Sequence, residues 1–237
     1  DNDASRDDVS IKIWKEAFAE KGITADIGNK EKGVIGNARI FCYPKEKNWW
    51  GPAGLTGPCG PDTEMFIDLG TLHNEKYGKV CHPNCDCGRF IEVWNDVFME
   101  FNKLEDNSYV PLSQQNVDTG MGLERVTMVL ERKTDVFKTE FFLPMMDLIK
   151  EMSTEYNEAS ARIICDHMRT STFILGDHKA IKPGNVDQGY VLRRLIRKTI
   201  RHGKLLGINE AFTPLVAEKI IEIMGAAYPE LLENKKF

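Results

Sequence analysis

The chain has 237 residues, of which 42% are hydrophobic and 28% charged, and its net charge at pH 7 is −5. This composition is ordinary for a globular protein, and the length suffices for one large domain or two modest ones. Because the chain is acidic overall, any contact with nucleic acid would need a local basic patch.

Nothing in the sequence is typical of secretion or of membrane insertion. No apolar run reaches the length of a membrane span, and we find no signal-peptide pattern. The six cysteines are too sparse for a disulfide framework in a chain of this size. We therefore expect reduced thiols, a cytoplasmic location and no membrane partner.

The first forty residues predict one helix and one short strand. Ser5 or Asp7 can cap a helix over Val9–Lys21, which Gly22 would end. A short β-type run, Ala38–Tyr43, follows a charged, glycine-rich turn.

The segment Lys45–Pro61 is rich in glycine and proline, which argues against regular structure and predicts a loop. It carries two adjacent tryptophans, Trp49 and Trp50, whose large rings need a surface to cover. They either plug an edge of the core or help to wall a small-ligand pocket.

The next segment, Asp62–Gly70, has the alternation of a half-buried strand. Glu64, Phe66 and Asp68 would share one face. Two carboxylates flanking an aromatic ring can hold magnesium, bind an ammonium group, or lie on a solvated sheet face. The pattern alone favours the solvated face.

The loop Lys79–Gly88 raises the question of a metal site. It contains Cys81, His82, Cys85 and Cys87, four possible zinc ligands within a few residues. The spacing C-x3-C-x-C is not that of a standard zinc knuckle, and so short a loop forms a tetrahedral site with difficulty. We predict a reduced, partly buried loop without metal, with zinc at the three cysteines as the alternative.

Two strands and a helix are predicted next. Arg89–Asn102 is a long β-type run, Leu104–Ser108 a hairpin-like turn, and Asp118–Gly122 a strand end. A helix then begins at Leu123, with Val126, Val129 and Leu130 on its buried face.

Gly120 and Gly122 would let another group approach the backbone closely, and Arg125 is the cation directed at that space. A guanidinium can stack on a flat ring or pair with phosphate oxygens. The pattern therefore indicates a nucleotide site. The alternative is a tight turn in which Arg125 pairs with Glu124 or Glu131 at the surface.

Beyond Arg132 the pattern is helical, with four predicted helices: Thr134–Thr154, Ala159–Leu175, Gln188–His202 and Ala211–Met224. On the third helix four basic residues share one arc, opposite the apolar side chains: Arg194, Arg197, Lys198 and Arg201. Such an arc can be a solvated face, but in an acidic protein a concentrated cationic stripe favours a polyanion.

Five strings of the sequence resemble alanyl-tRNA synthetases and occur in that family's order. They are TGPCGPDTEMFID, RFIEVWNDVFM, DTGMGLER, ARIICDHMRTSTFILGDH and QGYVLRRLIRKTIRHGKLLG, of which the third resembles motif 3 of class II synthetases. The resemblance runs from about Val9 to the C-terminus. It implies an α+β fold, with a partial antiparallel class II sheet and flanking helices over residues 1–132. An all-α domain that binds the tRNA acceptor stem would follow over residues 133–237.

The resemblance also implies a reaction, in which alanine is activated with ATP and magnesium and attached to tRNA(Ala). Asp68 would bind the α-amino group of alanine, and Gly70 would leave room beside it.

Arg125 would be the catalytic residue that stacks on or clamps ATP, with Gly120 and Gly122 shaping the floor and Glu64 contacting nucleotide or magnesium. The four basic residues of the third helix would bind tRNA.

The sequence departs from the family's pattern in that it lacks motif 1, an editing domain and motif 2, whose arginine holds the ATP α-phosphate. Losing one such electrostatic contact costs roughly 10²–10³ in rate. We therefore expect a fragment that is weak or inactive alone and has the N-terminal part of the synthetase as a partner. The alternative is a truncated paralogue that acts as an RNA-binding or regulatory module without chemistry.

Overall fold

The computed structural model describes residues 5–236. The chain divides into two compact units, Asp1–Val129 and Leu130–Phe237. Residues 1–4 and 237, which belong to the two predicted domains 1–132 and 133–237, lie outside the described residues.

The first unit begins with helix α1, Asp8–Glu20. The Asp7 carboxylate accepts a hydrogen bond from the Ser10 backbone N–H at 2.8 Å, which confirms one of the two predicted caps. Gly22 follows the helix in the left-handed region at φ +70°, as a helix-ending glycine does. Two short strands then pair in parallel, β1 (Asp26–Ile27) and β2 (Ala38–Ile40).

The main element of this unit is a four-stranded antiparallel sheet of order β3-β4-β5-β6. Its strands are β3 (Trp49–Trp50), β4 (Gly57–Asp68), β5 (Phe90–Lys103) and β6 (Tyr109–Met121). The predicted hairpin turn joins β5 to β6, where the Leu104 N–H donates to the Ser108 carbonyl at 2.9 Å. The predicted long strand Arg89–Asn102 is therefore confirmed, whereas β6 begins at Tyr109, well before the predicted strand end Asp118–Gly122.

The loop predicted over Lys45–Pro61 is wrong in part, because β3 and the first residues of β4 lie within it. At Gly60, a Cβ would collide with the backbone carbonyl of Phe98 on β5. Glycine is therefore what lets the two strands approach, rather than what breaks the strand. Trp49 stacks on Phe101 and meets Tyr109 edge-on, with both pairs of ring centroids 5.6 Å apart. These contacts place Trp49 at an edge of the core, and the same side chain also lines the cleft described below, so the two interpretations of Trp49 do not exclude each other.

Helix α2, Leu123–Leu130, follows β6 directly. Its fully buried residue is Met128, whereas Leu130 is 77% exposed, so the predicted buried face is wrong at Leu130. At about 100° per residue the two positions lie about 200° apart on the helix and cannot share a face.

The described part of the second unit contains helices and turns. Its α-helices are α3 (Leu143–Met152), α4 (Glu158–Gly176), α5 (Asp187–Leu205), α6 (Thr213–Met224) and α7 (Glu230–Glu233). A core of fully buried side chains joins α3, α4 and α6, including Met145, Ile149, Ile164, Val216 and Ile220. None of the helices in residues 5–236 is both long and apolar enough to cross a membrane.

The helix predicted over Thr134–Thr154 is shorter than expected. Asp135 caps a single 3-10 turn, Val136–Lys138, by accepting from the Phe137 N–H at 3.0 Å. Pro144 lies in the first turn of α3, where its missing N–H costs no helical hydrogen bond. The helix therefore begins only at Leu143.

Candidate functional site

A cleft of about 1080 Å³ lies in the first unit beside β4. Beyond Pro61 no described strand pairs with β4 on the side opposite β5, so this edge of the strand is open. The cleft is lined by β4 residues, by one face of α1 and by the segment that leads into β3, including Ser10, Trp14, Phe18, Tyr43 and Trp49. The Trp14 indole donates to the Thr63 hydroxyl at 3.1 Å and so ties α1 to β4.

Glu64 and Asp68 both line this cleft. Their neighbours across the sheet are Asn95 and Phe90 on β5, and Asn95 in turn is paired with Gly120 on β6. Cross-strand partners lie on the same face of a sheet, so these side chains share one face.

Glu92 reaches that face because the register shifts between Met65 and Phe66. The shift leaves Val93 as an extra residue, so that Glu92 and Asn95, three positions apart, point the same way. The Asn95 amide donates to the Glu92 carboxylate at 3.4 Å. Sequence reasoning missed Glu92, because alternation alone places it on the face opposite Asn95.

Three carboxylates gather here, those of Asp62, Glu64 and Glu92. Burial raises the pKa of Glu64 to about 7, and the negative charges of Asp62 and Glu92 add to the effect. Burial also raises the pKa of Asp62, against a weak hydrogen bond from Asn48 at 3.5 Å. The cluster is therefore short of positive charge and would favour a bound cation.

Arg125 is a cation that contacts this cluster through Glu92. Its Nη1 donates to the Glu92 backbone carbonyl at 2.9 Å and to the Glu92 carboxylate at 3.2 Å. Glu131, one of the two partners considered from sequence, instead accepts from the Glu140 N–H at 3.2 Å. Arg125 thus faces the carboxylate cluster, although it does not line the cleft itself.

Gly120 and Gly122 make room for side chains of the chain itself. A Cβ at Gly120 would lie 2.9 Å from the Asn95 Oδ1, and one at Gly122 would lie 3.1 Å from the Arg125 Cδ. Neither glycine lines the cleft.

The Asp68 carboxylate already accepts three hydrogen bonds within the chain. Arg89 donates from Nε to Oδ1 at 2.8 Å and from Nη2 to Oδ2 at 2.7 Å, and the Gly70 N–H donates to Oδ1 at 2.8 Å. The hydrogen bonds from Arg89 lower the pKa of Asp68 despite its partial burial. Gly70 has φ +68°, and a Cβ there would meet nothing within 4 Å, so the space beside Asp68 is open.

In the second unit, the four basic residues of α5 are all exposed. No carboxylate within residues 5–236 lies within ion-pairing distance of them. Burial and the charges of Lys198 and Arg201 lower the pKa of His202, which indicates a positive local potential. A hollow of about 320 Å³ is lined by Arg194 and Arg197 together with Tyr190 and Arg193, two residues that sequence reasoning did not single out.

The family model described as "tRNA synthetases class II (A)" matches residues 10–237. The chain belongs to this family. Among its relatives, the alanine–tRNA ligase of Treponema denticola is 46% identical over 98% of this chain and 37% of its own length. Those of Treponema pallidum and Borrelia hermsii are 42% and 40% identical, over 99% and 98% of this chain and 36% and 40% of their own lengths. The chain thus spans less than half the length of these relatives.

The cysteine loop of this class II synthetase chain differs from the ligand set read from sequence. His82 bonds through Nδ1 to the Tyr43 hydroxyl at 2.8 Å, away from any shared site with the cysteines. His73, eight residues before Cys81, takes its place beside the three thiols. The spacing of the cysteines within Cys81–Cys87 could not have identified His73, because folding of the loop and not sequence proximity brings this residue to them.

The sulfur of Cys87 has an unusual environment. Its burial raises the pKa, but hydrogen bonds from the Arg89 backbone, from His73 and from the neighbouring thiols outweigh burial and lower the pKa of Cys87. Burial and the neighbouring sulfurs raise the pKa of Cys81.

Proposed function

We propose that this chain takes part in activating alanine with ATP and attaching it to tRNA(Ala). The observation that carries the proposal is the identity of 40–46% with alanine–tRNA ligases across nearly the whole chain. In this proposal residues 1–132 form the second half of the aminoacylation domain, and residues 133–237 form a helical domain for the tRNA acceptor stem.

Asp68 would bind the α-amino group of alanine. An ionised carboxylate offers about four lone-pair positions, and three hydrogen bonds already occupy Asp68. The ammonium group would take the remaining position on Oδ2, in a charge-assisted hydrogen bond. Gly70 leaves the open space that a small amino acid needs, and the lowered pKa of Asp68 keeps the carboxylate ionised at neutral pH.

ATP would lie over Gly120, in β6, and Gly122, which follows the strand, with Arg125 stacked on the base or paired with phosphate oxygens. To do so the guanidinium would move from Glu92, a partner it holds at 3.2 Å in an exposed position. The absence of side chains at Gly120 and Gly122 would leave space for the nucleotide and for Asn95 and Arg125, which a Cβ at these positions would contact closely.

Magnesium fits the neighbouring carboxylates by their chemistry. Hard oxygen donors are its preferred ligands, and the raised pKa values of Glu64 and Asp62 indicate a deficit of positive charge. Glu64 would hold the ion, with Asp62 and Glu92 as neighbouring donors. When bound with ATP, magnesium would neutralise charge on the phosphates.

The chain's own residues would act by orientation and charge stabilisation. Asp68 would position alanine so that its carboxylate attacks the α-phosphorus of ATP, and pyrophosphate leaves. A ribose hydroxyl of tRNA would then attack the alanyl carbonyl, and AMP leaves. No covalent bond to the protein forms in either step.

The basic stripe of α5 would bind the tRNA backbone. Arg194, Arg197, Lys198 and Arg201 are exposed and unpaired within residues 5–236, so phosphates would not compete with internal carboxylates. Tyr190, 52% exposed at the adjacent hollow, offers a ring on which a base can stack.

Titration calorimetry with alanine and with ATP and magnesium tests the ligand sites. Asp68→Asn should weaken alanine binding at least tenfold and leave ATP binding within twofold. Arg125→Ala should do the reverse. Asp26→Asn, at an exposed position outside the cleft, is the matched control and should change neither.

Wild-type chain that binds neither ligand would overturn the proposed site. If such a chain still bound tRNA, the non-catalytic RNA-binding alternative would be favoured. Equal affinity for alanine and a bulky amino acid such as leucine would remove the assignment of substrate.

A further inference from the structure

The long connection between β4 and β5 brings four ligand atoms together. The Nδ1 of His73 and the sulfurs of Cys81, Cys85 and Cys87 all lie within 4.8 Å of one another. The sulfurs of Cys81 and Cys87 are 3.5 Å apart, and that of Cys85 lies 4.0 Å from the His73 Nδ1. Around tetrahedral zinc, with bonds of about 2.3 Å to sulfur and about 2.0–2.1 Å to nitrogen, such atoms are about 3.5–3.8 Å apart. The set therefore needs only a small contraction to enclose the ion.

The ring of His73 is oriented as a metal ligand requires. Its Nε2 lies 2.8 Å from the Gly78 carbonyl oxygen. A carbonyl only accepts, so Nε2 carries the proton and Nδ1 of the neutral ring presents its lone pair to the sulfurs. Histidines that bind metals commonly donate their other N–H to a backbone carbonyl in this way.

The three cysteines are free thiols in a restrained loop. The 3.5 Å between Cys81 and Cys87 is far longer than a disulfide bond of about 2.05 Å. The Cys81 carbonyl accepts from the Val34 N–H at 3.1 Å, and the Cys85 N–H donates to the His82 carbonyl at 3.0 Å. Two backbone hydrogen bonds thus restrain Cys81 and Cys85 without a metal.

The connection itself has little else to stabilise it. Residues 69–89 contain only one 3-10 turn, Glu75–Tyr77, and the segment is longer than the roughly 12–15 residues above which structureless loops become uncommon. Within it, Cys85 is the one buried hydrophobic residue among those the structure describes. Such a loop has no core of its own and gains most from a central ion.

We propose that His73, Cys81, Cys85 and Cys87 bind one structural zinc ion. Three thiolates and one imidazole in a tetrahedral arrangement are soft ligands that select zinc over magnesium or calcium. Four protein ligands leave no position for water or substrate, so the ion is structural and not catalytic. The site is separate from the ligase activity proposed above and does not depend on it.

The zinc ion would hold in place the residues that lead into β5. Arg89 follows Cys87 by two residues, its carbonyl accepts from the Leu69 N–H at 2.9 Å, and its side chain pairs with Asp68. Asp68 and Leu69 at one end of the connection therefore contact Arg89 at the other end, two residues after the proposed ligand Cys87.

The direct test is metal analysis of the chain. The chain is purified without chelator, dialysed against zinc, and then dialysed against buffer without metal. We expect about one equivalent of zinc, retained against dialysis. His73→Ala and Cys85→Ser should each lower retained zinc at least fivefold. His82→Gln removes the rejected histidine and Cys42→Ser removes a thiol outside the loop, so both should retain wild-type zinc.

Two readouts on the wild-type chain remain informative if a ligand variant fails to fold. Cobalt substitution should give the intense visible bands and the sulfur charge-transfer band of a tetrahedral thiolate site. Chelation should expose three additional thiols to a thiol reagent. Zinc below about a tenth of an equivalent after dialysis, octahedral cobalt spectra, unchanged thiol reactivity, or full zinc retention by folded His73→Ala would each overturn the site.

Discussion

Asp68, the last residue of β4, and Arg89, the residue before β5, form a two-point ion pair with N–O distances of 2.8 and 2.7 Å. The pair closes the two ends of the connection 69–89. It also neutralises the carboxylate that we propose for the amino group of alanine. The proposed binding of alanine and the geometry of the connection therefore depend on the same side chain, Asp68.

The first prediction concerns the strength of this pair. Both side chains are about one-third exposed, so solvent screens the interaction. A double-mutant cycle with Asp68→Asn and Arg89→Gln should give a coupling of about 0.2–1 kcal/mol in urea unfolding at pH 7. A coupling above about 2 kcal/mol would show that the pair is far less screened than its exposure indicates.

The coupling should also depend on pH in a definite direction. Because Arg89 holds the pKa of Asp68 below its ordinary 3.8, the stabilisation is fully present above that value. It should be lost as the pH falls through the lowered pKa. Carboxyl NMR of Asp68 should show the pKa rise in Arg89→Gln, and an unshifted titration would contradict the assignment.

The second prediction concerns Glu64. Its pKa is raised from 4.5 to about 7, so the native state holds the proton more tightly than the unfolded chain does. The contribution of Glu64 to native stability is therefore greatest below pH 4.5 and is lost as the pH rises through about 7. Glu64→Gln removes this loss and should be more stable than wild type at pH 8, by on the order of 1–3 kcal/mol, but not at pH 4.5.

Urea unfolding at the two pH values measures this difference. Glu105→Gln, at an exposed turn, removes the same charge and should show no such pH-dependent gain. If Glu64→Gln and Glu105→Gln behaved alike, the carboxylate cluster would not be under the electrostatic strain that the geometry indicates.

The third prediction concerns the close approach of β4 and β5. Gly60→Ala places a Cβ against the Phe98 carbonyl, which as backbone cannot rotate away, and should cost more than about 2 kcal/mol in unfolding free energy. Gly54→Ala is the matched control, since its Cβ meets nothing nearer than 3.9 Å and should change stability by less than about 0.5 kcal/mol. A Gly60→Ala variant as stable as Gly54→Ala would contradict the observed register.

The fourth prediction concerns the basic stripe of α5. Replacing Arg194, Arg197 and Arg201 with alanine should weaken tRNA binding and reduce the slope of log affinity against log salt by about 2–3, because three phosphate contacts are lost. Filter binding at several salt concentrations measures both quantities.

The control for charge removal is the triple alanine variant of Lys12, Lys15 and Lys21, three exposed lysines of the first unit. It alters net charge equally and should leave the salt slope within experimental error. Equal loss of affinity in the two triple variants would show that net charge, and not the stripe, determines binding.

Much of the local structure was predictable because it is encoded by near neighbours. The cap at Asp7, the existence of a strand over Asp62–Asp68 and the three- and four-residue spacing of the cationic arc on α5 all depend on near neighbours in the chain. The burial alternation expected along β4 is absent, because both of its faces are partly covered. The family membership was predictable for a related reason, since its motifs are contiguous strings such as DTGMGLER.

Pairing across distance was not predictable in the same way. Glycine and proline before Pro61 indicated a loop, yet Gly60 is in a strand because β5 approaches it there. The bulge at Val93 turned Glu92 toward Asn95, and strand alternation carries no sign of a bulge in the partner strand.

The sequence by itself therefore determined most of the helices, the strands at Asp62–Asp68 and Arg89–Asn102, the family and the residue types available for chemistry. Only the tertiary structure decided which of them meet, with Arg89 on Asp68, Arg125 on Glu92, and His73 in place of His82 beside the cysteines. The physical reason is that side-chain partners are selected by backbone register and loop closure, which depend on contacts between segments and not on any one segment's pattern.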